Sequence, residues 1–251
     1  HSEVAPEDNF RSQRLLVGGW LVVVSVLVFL MIILGGVTRL TDSGLSMVDW
    51  QPITGVFPPL SEGKWQVLFA KYKMFPEYQQ VNDGMQIAEF KVIFWIEFAH
   101  RLLGRFIAIF FLLPFLYFFF RRLLSRRTVI MLVCLFFLGA AQGFLGWFMV
   151  KSGLTNRPDV SQYRLAAHFG LAVLIYSGLF WNVLSILQPR ISRPHNERKK
   201  VALLLWIFVP WLFFVMVSGV FVAGTDAGFS YNTFPLMDGY FISPGIFDDI
   251  L

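Results

Sequence analysis

The chain is predicted to be an all-α integral membrane protein, a four-helix transmembrane bundle followed by the first helix of a second, repeated bundle. Three observations carry this prediction. Of 251 residues, 56% are hydrophobic and only 15% charged, too little polar side chain to cover a water-soluble domain of this size. Uninterrupted apolar runs long enough to cross a bilayer occur at five places. The motif TDSGLS at 41–46 returns as TDAGFS at 225–230, each time at the end of an apolar run.

The spans are placed at 15–38, 92–120, 128–150, 164–187 and 201–224. The first is no cleaved signal sequence: it has no small-residue cleavage site after a short core and runs on into GGVTRLTDSGLS. The second is longer than a perpendicular crossing needs, so either its first turns stand outside the membrane or the helix tilts. The third carries Cys134, the one cysteine of the chain. That count excludes an intrachain disulfide and a cysteine-based metal site, and a buried small hydrophobe is the expected role. The fourth carries His168, and the fifth opens the second unit.

The connections set the orientation. Loop 121–127 holds Arg121, Arg122, Arg126 and Arg127, and loop 188–200 holds Arg190, Arg193, Arg198, Lys199 and Lys200. The segment from 225 onward has Asp226, Asp238, Asp248 and Asp249 without Lys or Arg. The positive-inside rule therefore puts the N-terminus and both basic loops in the cytoplasm or matrix. These anchors account for the net charge of +5, and nucleic acid is not an expected partner. The opposite face receives loop 39–91, which is too long for a simple connector. Its Trp50, Trp65, Phe69, Tyr72 and Tyr78, with several prolines, predict a cap folded over the bundle mouth; an aromatic belt at the interface also accounts for the tryptophans.

Both copies of the repeat follow a small-residue helix end, GGVTRL or SGVFVAG, and lead into a loop containing Pro52 or Pro235. An even number of helices separates them, so the units run parallel about an axis along the membrane normal. This divides the chain into an N-terminal four-helix unit at 1–190, with its cap at 39–91, and the start of a second unit at 191–251. The expectation is a piece of a larger protein of about eight helices.

Chemistry concentrates at two histidines, His100 in EFAHRLLGR and His168 in YRLAAHFGLA. Ionisable side chains inside a bilayer are costly and mark functional sites. At helical rise His100 lies about 13 Å and His168 about 9 Å below the same face. A depth-matched pair on the second and fourth helices of an up-down bundle can clamp one haem iron from both sides; two core histidines bonded to neighbouring helices are the plainer reading. Glu97 lies one turn before His100, placed to accept protons, orient water or bond the imidazole, or else to pair with Arg101 at i+4. Arg101 and Arg105 can bind haem propionates, or snorkel and neutralise acids. Gly139, Gly143 and Gly146 let a flat macrocycle or simply another helix approach the third span closely, and Gln142, near the histidine level, can hydrogen-bond into the site. The 29 Phe are assigned to lipid contact and core.

GGVTRLTDSGLSMVDW, EFAHRLLGR, QGFLGWFMVKSGL and VSQYRLAAHFG, in this order and spacing, resemble the haem A synthase family, in the form found in mitochondria and alphaproteobacteria. The resemblance covers about 17–240. It implies oxidation of the C8 methyl of haem o to a formyl group, giving haem a for cytochrome c oxidase. It also implies that His100 and His168 hold the substrate haem and that Glu97 is required for activity. It further implies a b-type haem on a second histidine pair, on helices absent from this sequence. Haem o, membrane lipid, a haem O synthase, an electron donor, oxidase assembly factors and further copies of the chain are the implied partners. The implied location is the mitochondrial inner membrane or the bacterial cytoplasmic membrane. The outer-loop cysteine pair of some bacterial members is absent. Two other readings remain at this stage: a bis-histidine electron-transfer cytochrome without porphyrin chemistry, and a haemless scaffold or carrier.

Overall fold

In the computed structural model the described residues are 6–51, 54–153, 160–188, 196–230, 232–233 and 235–242. Pro52, Arg190, Arg193, Asp248, Asp249 and the boundary expected at 190–191 lie outside them. The helices are α1 (Pro6–Leu40), α2 (Glu62–Tyr72), α3 (Pro76–Gln80), α4 (Ile87–Phe120), α5 (Arg126–Gly153), α6 (Gln162–Leu187), α7 (Asn196–Gly224) and α8 (Ala227–Ser230), with no β-strand among the described residues. Five of them, α1, α4, α5, α6 and α7, are long and apolar enough to cross a membrane. The protein is therefore an all-α, multi-pass membrane protein.

α1 packs along both α4 and α6, and α5 packs along α6 but meets α4 much less extensively. The order round the bundle is thus α4, α1, α6, α5, which sets the helices bearing His100 and His168 across from each other. α7 lies outside this ring, against α6. Leu203, Trp206, Phe208 and Trp211 on it are exposed, as expected of a surface facing lipid.

The inner half of the bundle is closed by one apolar cluster. Trp20, Leu21 and Val24 of α1 meet Phe111, Phe115 and Phe118 of α4, Leu132 and Leu135 of α5, and Ile175, Leu179 and Val183 of α6. Close approach here needs small residues: a Cβ on Gly18 would stand 2.2 Å from Leu187 Cδ2. Arg14 seals the inner end of α6 by donating from Nη2 to the Ile186 carbonyl at 2.7 Å, a cation on carbonyls that a helix C-terminus leaves unpaired.

Pro114 sits inside α4 and has no N–H for the carbonyl four residues earlier. In lipid that orphaned carbonyl would be costly. Trp20 supplies the missing donor, its Nε1 lying 3.1 Å from the Phe110 oxygen. Trp20→Phe keeps most of the ring packing and removes only this donor. The expected cost is about 1–3 kcal/mol, measurable as a lower unfolding midpoint in denaturant titration of the detergent-solubilised protein.

The cap is built on the outer part of α4. Trp65, Phe69 and Tyr72 of α2 pack on Phe90, Phe94 and Phe98. These α4 residues are clad in loop aromatics. Tyr72 is wholly buried and its hydroxyl accepts from Asn82 Nδ2 at 2.8 Å; burial, then the nearby Glu77 carboxylate, pushes its ionisation well above the usual phenol range. Ion pairs Lys71–Asp49 at 2.7 Å and Lys91–Glu62 at 3.0 Å tie the cap together.

The repeat has a backbone counterpart. Asp42 and Asp226, at matching places in TDSG and TDAG, both take positive φ, 47° and 53°. Arg39 bridges them, at 2.8 Å to Asp42 and 3.1 Å to Asp226. One expectation is corrected: Cys134 is exposed. It lies on α5 one position before the buried Leu135, and one residue is 100° of helix turn, enough to leave the bundle face.

Candidate functional site

The two histidines lie between the inner cluster and the cap. Beside them the buried apolar side chains among the described residues include Phe98, two residues from His100, Ala166, two residues from His168, and Met149. Polar groups and glycines complete the site. His100 points from α4 toward α1, where a Cβ on Gly35 would lie 3.4 Å from its Nε2. His168 points from α6 toward α5, where a Cβ on Gly146 would lie 3.2 Å from its Cε1. Gly146→Val would therefore push the His168 ring aside. A fall in haem occupancy, read as Soret absorbance per protein, is the expected result.

Gln142, one turn before Gly146, donates from Nε2 to the His168 carbonyl at 3.0 Å. The Gln142 Oε1 and His168 Nδ1 atoms are buried without a hydrogen-bond partner. Gly143, singled out in the sequence, has nothing within 4 Å of its Cβ position; Gly146 is the glycine against the ring.

Glu97 is 2% exposed and fully engaged. Oε2 accepts from Ser46 Oγ and from Met47 N, both at 2.6 Å, and Oε1 accepts from Arg101 Nη2 at 2.5 Å. The i+4 ion pair is thus present, and the carboxylate also fastens the TDSGLSM segment to α4. Arg101 Nη2 reaches the Met47 carbonyl at 2.9 Å, and Arg105 Nη2 reaches the Gln51 carbonyl at 2.8 Å. Both arginines line a cavity of about 680 Å³ under the cap with Phe94, Phe98 and Lys71, and neither histidine lines it. Five residues of helix turn Arg105 about 140° away from His100, which is why arginines and imidazoles face different spaces.

The site thus joins His168, Gln142 and Gly146 in one place, sets His100 on the opposed helix α4 against Gly35, and gathers Glu97, Arg101 and Arg105 in a network with the cap. Ser46, Gly35 and Arg39 escaped the sequence reading as site residues, although all lie in or beside the repeated segment that flagged the outer loop. Among the described residues no group of three or more His, Cys, Asp or Glu could hold a bare metal ion. A two-imidazole set suits a haem, whose porphyrin supplies the other four ligands. The glycines beside both rings and the orphaned His168 Nδ1 fit that group.

Fold and site together define a class: multi-pass helical membrane proteins that present an imidazole pair across a bundle. The chain belongs to the family described as cytochrome oxidase assembly protein, which matches residues 18–249. Similar curated proteins are named haem A synthase. That of Nitrosospira multiformis is 53% identical over 229 residues, 91% of this chain and 64% of the relative. Those of Nitrosomonas eutropha and Parvibaculum lavamentivorans are 46% and 48% identical, over 97% and 91% of this chain and 69% and 65% of the relatives. The chain spans about two thirds of the length of these relatives. No solved structure matches it.

Proposed function

We propose that the chain is the haem-holding part of a haem A synthase, the enzyme that oxidises the C8 methyl of haem o to a formyl group. The observation that carries this reading is the imidazole pair on opposed helices, each ring set against a glycine of a neighbouring helix. Haem o brings both the iron to be gripped and the methyl to be oxidised.

The residues of the chain divide the work. His100 and His168 fix the porphyrin plane through the iron. Gly35 and Gly146 make room for the two rings. The apolar inner cluster shuts off the far side, and the lipid-facing helices suit a substrate with a farnesyl tail. Glu97 lies one turn from His100 and handles protons from an atom already in charge-assisted bonds. A proton arriving at Oε2 would make the Ser46 hydroxyl turn toward the Ile93 carbonyl and accept, or make the Met47 N–H yield, so proton uptake and cap contact would be linked. Arg101 and Arg105 seat the cap; contact with the haem carboxylates is the weaker of their two assignments, because they project from another face of α4.

A b-type haem belongs, in this reading, to helices outside this sequence. A haem O synthase as supplier, an electron donor, oxidase assembly factors and further copies of the chain are the proposed partners. A bacterial cytoplasmic membrane, with the N-terminus in the cytoplasm, suits the bacterial relatives; a mitochondrial inner membrane is the other proposed setting. One observation favours a second reading. Glu97 as a cap fastener needs no porphyrin chemistry, which is compatible with a bis-histidine electron-transfer cytochrome. Extracting the bound porphyrin and weighing it decides between them: haem o or its hydroxylated derivative supports the synthase, and haem b alone supports the cytochrome.

A further inference from the structure

We propose that Gln142 is a positioning residue for His168, its Oε1 accepting the hydrogen on Nδ1 of that ring; this rests on the haem reading above. An imidazole that binds iron through Nε2 carries its hydrogen on Nδ1, and a metal-ligating histidine generally donates it to an oxygen beside it. Among the described residues of α5 and α6, only two buried side-chain atoms lack a partner: Gln142 Oε1 and His168 Nδ1. They are complementary, one an acceptor and the other a donor once Nε2 is committed to iron.

One further contact favours the pairing. Gln142 is held against His168 itself by the 3.0 Å bond from Nε2 to the His168 carbonyl. Gly146, one turn along the same face, lets the ring lie over α5, with Cε1 3.2 Å and both ring nitrogens 3.9 Å from its Cβ position. With its Nδ1 hydrogen accepted by Gln142, His168 would gain anionic character and favour the ferric state of a bound haem.

The test uses the full chain in lipid nanodiscs loaded with iron protoporphyrin IX. Midpoint potential and the EPR spectrum are compared for wild type, Gln142→Leu and Gln142→Glu. The leucine variant should retain low-spin haem but shift the ferric–ferrous equilibrium toward the ferrous state about tenfold, or about 59 mV upward for a one-electron couple. The glutamate variant, a stronger acceptor, should shift it downward. An unchanged potential in the leucine variant at full occupancy overturns the proposal while leaving the haem reading intact. If the leucine variant does not accumulate, an unchanged or raised potential in the glutamate variant overturns it equally. A wild-type chain that gives no low-spin haem spectrum overturns both.

Discussion

Alanine at His100 or at His168 is expected to abolish stable haem retention, with apparent affinity falling by at least about 100-fold. Loss of a partner that merely orients a ligand costs 10–100-fold, and these substitutions remove the ligand itself. The bundle should survive the change. Neither histidine belongs to the inner cluster that joins α1, α4, α5 and α6, and neither side chain holds another element by a hydrogen bond among the described residues. The loss should therefore appear as missing Soret absorbance in a protein of normal yield and helicity. Equal occupancy in either variant would mean that the iron is held elsewhere.

The second large effect is expected at Glu97. Glu97→Gln should lower formyl production by on the order of 10²–10⁴, assayed in the full-length relative of this chain, with porphyrin still bound. Glutamine keeps an acceptor for Ser46 and Met47 but loses the charge that balances Arg101. Glu97→Ala is the harsher change. It leaves the Arg101 guanidinium, 9% exposed, without its counter-charge, a loss of about 3–5 kcal/mol for a buried pair. It also frees the TDSGLSM segment from α4. Porphyrin retention is nonetheless expected, since His100 and His168 remain. Mass spectrometry of the extracted porphyrin separates the outcomes, and undiminished haem a from either variant would remove the proton role.

Much of this was legible before any coordinates. Spans follow from hydropathy because lipid demands continuous apolar helices, and the opposed placement of the helices that carry His100 and His168 follows from up-down connectivity. The cap was foreseeable from the length of loop 39–91. Its attachment was not, since the Ser46–Glu97 contact joins residues 51 positions apart and nothing in local spacing encodes it. The same limit applies to Trp20, whose indole serves a carbonyl orphaned by a proline 94 residues away. Arg101 and Arg105 illustrate the opposite problem. Proximity in sequence to His100 drew them to the haem, whereas helix rotation carries them to the cap.

The most direct test of the imidazole pair is spectroscopic. The full chain, loaded with haem in nanodiscs, is examined by near-infrared magnetic circular dichroism and EPR, which identify both axial ligands of a low-spin ferric haem. The account predicts a bis-imidazole signature that disappears in both alanine variants. A single-histidine or high-spin haem in the wild type, or a bis-imidazole signal that persists without His100 or without His168, would contradict it.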